Sequence, residues 1–404
     1  MMNIKERINE VSRSNEEPEC ITKHRSLMWD TYLREPLPDR VLPLWRYSDP
    51  SCFILNGQDI SLESSKIEFN IDSAYLNQNI VLTDIRNIFK IESLKNTIKE
   101  KFGLLLKKDI NKTNLLNEAT WSCGYFLYIP ENVKLEKPIV VKSSACDSGF
   151  RSVRILVILE KGSSLNLIEE TTSSDDVSVF SNIVAEIYLG NNSKLNYLTL
   201  QTNGTNTTSH VFQRAVLYDY AELTNLVVSV GGKISKADIG TALDGRNSKI
   251  NTYGIVVGDT NQKFDHHTTI EHLKPSTKSE VQFRAVLKGR SQSAYTGNLK
   301  IKEEAVKSDA YQENRNLLLS EDARAESIPE LEILTNDVTR CSHAVTVGQV
   351  DKDQMYYLTS RGLSEKESEK IIVEGFLEPT ISRIPLDSLK EEVLLKVQKK
   401  LESL

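Results

Sequence analysis

The sequence predicts a mainly β protein, a β-helix or related β-solenoid, with helical segments before and after it. Three observations carry this. From about Glu118 to residue 350, short runs rich in Val, Ile, Leu, Thr and Tyr alternate with Gly, Asn, Asp and Ser clusters, the composition of strands and tight turns. No proline occurs between Pro138 and Pro275, and no long helical period appears before about residue 350. The region also resembles itself: Leu159-Glu-Lys-Gly-Ser-Ser-Leu165-Asn166 returns as Leu189-Gly-Asn-Asn-Ser-Lys-Leu195-Asn196 and as Leu217-Tyr-Asp-Tyr-Ala-Glu-Leu223-Thr224.

Looser copies of the cassette begin at Leu243, Leu287 and Leu319, so the leucine steps are 30, 28, 26, 44 and 32. A period near thirty made of strands and turns points to coils that stack, because one coil cannot bury its apolar face alone. A large β-sandwich also yields regular strand–turn spacing, but a shared cassette is unexpected there. The step of 44 is the irregular one.

The flanks read as helix. His24 to Arg34 carries Leu27, Met28, Tyr32 and Leu33 at helical spacing, and Pro36 and Pro38 stop it. Residues 85–106 space Ile85, Ile88, Phe89, Ile91, Leu94, Ile98 and Phe102 for one buried face. After the β region, Asp351–Gln354 and Ser364–Glu367 have capping-box spacing, predicting one helix that ends at Gly362 and another that runs towards Phe376 and stops before Pro379. A third, from near Pro385, places Leu389, Val393, Leu394, Val397 and Leu401 on one stripe. Such helices would pack against the end of a solenoid, capping it or docking a partner. The expected division is 1–117 mostly helical, 118–350 β core and 351–404 helical.

Composition narrows the function. Charges of 50 basic and 56 acidic residues leave −6, without the basic excess of a nucleic-acid binder. No apolar run approaches the ~18 residues that span a bilayer, and Met1 to Glu19 lacks the apolar stretch of a signal peptide, so a cytoplasmic protein is expected. The five cysteines, Cys20, Cys52, Cys123, Cys146 and Cys341, are scattered and never paired as C-x-x-C, which fits neither a disulfide framework nor a self-contained zinc site. An iron–sulfur cluster normally takes four thiolates, so any cluster here is shared with a partner or held transiently.

Cys341-Ser342-His343 is the sharpest local feature. Residues i and i+2 of a strand point to the same side, which puts a thiol and an imidazole together as iron or zinc ligands. A buried cysteine beside a hydrogen-bonded histidine gives the same pattern. A second group, Asp265-His266-His267-Thr268-Thr269-Ile270-Glu271-His272, holds half of the six histidines. On a strand His266 and His272 share one face, and His267 and Glu271 the other. These are secondary metal candidates, because ligation needs donors from adjacent strands on one face. No G-x-x-x-x-G-K-[ST] loop is present, so any ATP chemistry belongs to another subunit.

Asn314 to Glu332, Asp337-Val-Thr-Arg-Cys-Ser-His-Ala-Val-Thr-Val-Gly-Gln349, and Tyr357-Leu-Thr-Ser-Arg-Gly-Leu363 are similar to signature stretches of the SufB/SufD family of iron–sulfur assembly scaffolds. Upstream, Pro36-Leu-Pro with Leu44-Trp-Arg-Tyr-Ser-Asp49 resembles the family's N-terminal motif, and Phe126 to Pro130 with Leu135 to Ile139 its entry into the β region. The resemblance implies a right-handed parallel β-helix with flanking helices. It implies pairing through the β-helices with a SufB-type subunit or a second copy of this chain. It also implies C-terminal helices that dock the SufC-type ABC ATPase, and a sulfur donor protein. The cargo would be a transient iron–sulfur cluster at the subunit interface, with Cys341 and His343 on the positions proposed as its ligands, the cysteine in the SufB type and the histidine in the SufD type. The chain itself would be a scaffold rather than an enzyme, binding neither nucleic acid nor membrane.

The chain looks closer to SufD, or to an undifferentiated relative working as a homodimer. The SufB type is longer, and its extra sulfur-accepting cysteine inside the β-helix has no counterpart between Cys146 and Cys341. Two other classes compete: an exported-type β-helix carbohydrate lyase or hydrolase, for which no carboxylate pair emerges from the repeats, and a purely structural solenoid subunit.

Overall fold

The computed structural model describes residues 4–55, 65–75, 78–107, 111–384 and 387–402. Its centre is a parallel β-solenoid of two facing sheets. Sheet A holds β3 (Cys123–Ile129), β5 (Gly149–Leu159), β7 (Val179–Leu189), β9 (Thr207–Leu217), β11 (Ile234–Leu243), β13 (Lys263–His272), β15 (Gln292–Ile301) and β17 (Arg324–Ile333). Sheet B holds β4 (Ile139–Ala145), β6 (Ser164–Ser173), β8 (Lys194–Thr202), β10 (Glu222–Ser229), β12 (Lys249–Gly258), β14 (Lys278–Leu287), β16 (Ser308–Leu318) and β18 (Val338–Gln349). One strand of each sheet makes a coil, so coil one is β3–β4 and coil eight β17–β18. Two further strands, β1 (Ser65–Asn70) and β2 (Val81–Asp84), run antiparallel to β4 and β3 and close the first coil.

The repeat now has a physical meaning. Leu159, Leu189, Leu217 and Leu243 are direct ladder partners on sheet A, and the ladder continues through His272, Ile301 and Ile333. Leu287 lies on sheet B, paired with Gly258 and Leu318. The step of 44 is therefore a jump between sheets, and the missing member of the series is His272. The turn after each leucine stacks as well. Asn192 and Tyr220 both adopt φ 59°, and their N–H groups donate to Asp219 O (2.8 Å) and Arg246 O (2.9 Å) of the next coil. The left-handed backbone at this corner explains the Gly and Asn content of the cassette.

Before coil eight, both faces of each sheet are largely covered, as a parallel sheet requires. The inner rungs include Leu165, Leu195, Leu223 and Ile250, all almost fully buried. The outer face of sheet A packs under the N-terminal region, with α1 (Ile4–Ser14), α2 (Glu19–Arg34), α3 (Lys95–Lys101) and α4 (Lys112–Thr120) around it. Residues 85–106 form no single helix but two short 3-10 turns, Ile85–Lys90 and Glu92–Leu94, and then α3. Their β-branched content weakens a continuous helix. Packing of Ile85, Ile88 and Ile98 against Trp121, Phe126 and Leu156 holds the broken form instead. The segment is also tied down electrostatically: Gly103 and Leu105 donate to the Glu186 carboxylate (2.8 and 3.0 Å), which is paired with buried Arg154 at 2.6 Å.

After β18 come α5 (Lys352–Ser360), α6 (Glu365–Ile381) and α7 (Asp387–Glu402). The Ser364–Glu367 capping box forms in both directions, whereas Asp351 caps α5 through Asp353 N alone. Two expectations fail here. The chain runs through Pro379 for most of another turn, because Leu377, Thr380 and Ile381 gain burial that offsets one lost helical hydrogen bond. And α6 and α7 lie across the outer face of sheet B rather than over the rod's end. There Val373, Leu377, Val393 and Val397 meet Leu198, Leu200, Val228 and Ile255. Those outer positions are apolar, so the sheet needs the helices as a lid.

Candidate functional site at the open end of the solenoid

Coil eight has no successor. Among the described strands, β18 pairs with β16 alone and β17 with β15 alone, so each leaves a row of backbone donors and acceptors unpaired. Cys341 pairs with Ala310 and His343 with Gln312, which sets both on the inner side of β18. Cys341 ends the rung Leu165–Leu195–Leu223–Ile250–Ser279–Ala310. Its side chain is half-buried against the core, while His343 is exposed. Burial pushes the Cys341 thiol above its ordinary value, which favours the protonated form.

The neighbouring inner positions are apolar and uncovered. Ile333 is 42% exposed and Val347 47%, against 0% for Leu243 on the same ladder as Ile333. Leu331 and Val345 are exposed beside them. Among the described residues, no three His, Cys, Asp or Glu side chains converge as a metal-binding group. One chain thus offers a thiol and an imidazole at an apolar, strand-edged rim.

The histidines of β13 are separated as their alternation predicts. His266 and His272 face inward. His272 shares hydrogen bonds with Thr277 (Nδ1, 2.7 Å) and Ser279 (Nε2, 2.9 Å), and His266 with Ser229 at 3.1 Å. Burial drops both to about 4, which keeps them neutral. His267 faces outward and is bonded to Asp265 at 2.8 Å.

Sequence reasoning missed what surrounds that pair. Lys236, fully buried, donates to Asp265 Oδ2 (2.7 Å) and to Leu44 O (2.5 Å), and Ser48 Oγ also donates to Asp265. Burial alone would raise Asp265, but Lys236 and His267 outweigh it and hold the carboxyl far below the usual range. Trp45 covers Lys236, 5.0 Å from its ring centroid, and stacks on His210. The Leu44–Asp49 motif is therefore a bolt that fixes the N-terminal segment to sheet A. Its only sequence signal is an isolated Trp-Arg-Tyr-Ser-Asp run, whose partners lie about 190 residues away.

At the other flank α5 is the least covered helix. Tyr356 is 75% exposed, and Tyr357, also exposed, carries the Arg361 guanidinium 5.3 Å from its ring.

Comparison with known proteins gives the arrangement a context. Residues 142–376 match the family model described as "SUF system FeS cluster assembly, SufBD core domain". The chain is 28% identical over 352 residues to the "Iron-sulfur cluster assembly protein SufD" of Bacillus subtilis, covering 85% of this chain and 79% of that protein. It is 26% identical over 335 residues to an "Iron-sulfur cluster assembly SufBD family protein" of Staphylococcus epidermidis, covering 82% and 71%. The matched segment runs from the first coil, through the open end with Cys341 and His343, into α6. The chain belongs to the SufB/SufD family of the SUF iron–sulfur cluster assembly system, close to SufD.

Proposed function

We propose that this protein is a cytoplasmic scaffold subunit on which an iron–sulfur cluster is assembled at a seam between two solenoids. The second solenoid is a SufB-type subunit or another copy of this chain, joined through the bare edges of β17 and β18. Cys341 and His343 supply ligands from one side of the seam and the partner supplies the rest, so the cluster is cargo that neither chain holds alone. The observation that carries this reading is the shared inner placement of Cys341 and His343 on an edge strand rimmed by exposed Val345, Val347, Leu331 and Ile333. An apolar rim with unpaired strand edges invites pairing with another chain.

The division of labour follows from chemistry this chain lacks. With no phosphate-cradling loop in its sequence, it takes its energy from a SufC-type ABC ATPase. The exposed Tyr356 and Tyr357 on α5, next to β18, offer that subunit a handle from which movement reaches the seam. No helix of the described residues is long and apolar enough to cross a membrane.

The test is anaerobic cluster formation with the ATPase and second scaffold subunit present. Cys341→Ser and His343→Ala are expected to lower the yield of visible cluster absorption at least tenfold while leaving thermal unfolding of the isolated chain unchanged. Normal rates in both variants would overturn the ligand assignment.

A further inference from the structure

Coils two to five enclose a cavity of about 50 Å³ on the axis of the rod. It exists because small residues take inner positions there: Ser209 and Ser235 share one rung, Ala237 follows on the next, and Ala185 stands beside Gln213. The Gln201 side chain borders the cavity and is held by both backbone groups of Gly231 at 3.0 Å, which shuts that corner.

Most of the lining surface is apolar, but it includes buried polar side chains without protein partners. Ser209 Oγ and Gln213 Nε2 are buried without any protein partner, although each residue is only 2% exposed. Next to them on the axis, both amide atoms of Asn225 and the hydroxyls of Thr241 and Thr252 are in the same condition. Buried polar atoms are rarely left bare in folded proteins, so a partner the protein does not supply is required. The lining includes no Lys, Arg or Asp. Its one carboxyl, Glu169, accepts from the hydroxyls of Tyr125 (2.8 Å) and Tyr197 (2.5 Å), and burial pushes it towards the neutral form. A charged occupant would find no countercharge, and an apolar one would leave the donors unpaired.

We propose that this cavity, several times the roughly 10–15 Å³ needed to hold one water, is a built-in water site whose buried waters bond to Ser209 Oγ and Gln213 Nε2, with ions excluded. The inner rungs of coils four and five can then be polar without strand separation, and the rod's axis is hydrated rather than dry in its middle. This assignment is independent of what happens at Cys341 and His343.

Crystals of the full chain at high resolution, examined native, under xenon pressure and after a bromide soak, decide it. The expected result is ordered solvent within hydrogen-bond distance of Gln213 Nε2 and Ser209 Oγ, with no xenon or bromide peak in the cavity. In Gln213→Leu, the solvent peak at that position is lost and xenon enters. A xenon peak or a void without solvent in the unmodified protein would overturn the proposal, as would bromide bound there. Should Gln213→Leu not fold, the native and xenon data alone decide.

Discussion

The two ends of the rod are built to opposite specifications. At the start, β1 and β2 turn antiparallel and take up the edges of β4 and β3, and aromatic and aliphatic side chains from the N-terminal region cover the outer face of sheet A. At the finish, β17 and β18 stop with one neighbour each, and inner positions that are sealed elsewhere open to solvent. A solenoid exposes an edge at each end, and an unprotected edge invites pairing. Covering one end and leaving the other bare therefore confines the unpaired edges of the described solenoid strands to a single place. That place holds the thiol and imidazole. A closed end buys stability; the open end leaves strand edges and apolar side chains exposed.

Three measurements press on this contrast. The largest expected effect of a single substitution is at the closed end: Leu127→Ala, at a fully buried inner position of coil one, is expected to cost about 3 kcal/mol in chemical denaturation. Val345→Ala in coil eight should stay within about 0.5 kcal/mol, and equal losses at both ends would erase the distinction.

Acid should then separate the halves. His266 and His272 sit in coil six with values of about 4, against an ordinary 6.5 in the unfolded chain. The unfolded state takes up protons first as pH falls, so stability is full above about 6.5 and is lost as pH drops towards 4. At pH 5 the loss is on the order of 2 kcal/mol for each histidine. Hydrogen exchange at pH 5 and pH 7 should show coil six loosening, and coil four with it because burial lowers its His210 to about 3, while coils one to three stay protected, and His272→Gln should blunt the change in coil six. Uniform loosening along the rod would place the weak point elsewhere.

The smallest effect concerns the rim itself. Val347→Glu puts a charge on the exposed apolar edge and is expected to weaken pairing with a second scaffold subunit about tenfold, roughly 1.4 kcal/mol, with no shift in the unfolding midpoint of the lone chain. Analytical ultracentrifugation of the mixed subunits reads it directly. Unchanged pairing would move the seam away from coil eight.

Much of the candidate site was legible before any coordinates. The i, i+2 relation of Cys341 and His343 put them on one side of a strand, and the alternation through His266, His267 and His272 put those three on the faces they occupy. The β1 strand was not read, because the short alternation Lys66-Ile67-Glu68-Phe69 sits in a region that otherwise reads as mostly helical. The bolt of Lys236, Asp265, Ser48 and Trp45 was not readable, because no local pattern announces a contact across so much chain.

Local chemistry determined the period of the coils, the inward and outward faces of each strand, and the cap of α6, because each depends on neighbours a few residues apart. Tertiary structure alone decided that the C-terminal helices cover sheet B rather than the rod's end, that the 44-residue step crosses between sheets, and that the last coil is left uncovered. Those outcomes depend on which distant apolar surfaces remain to be buried, and that sum is settled only when the whole chain has packed.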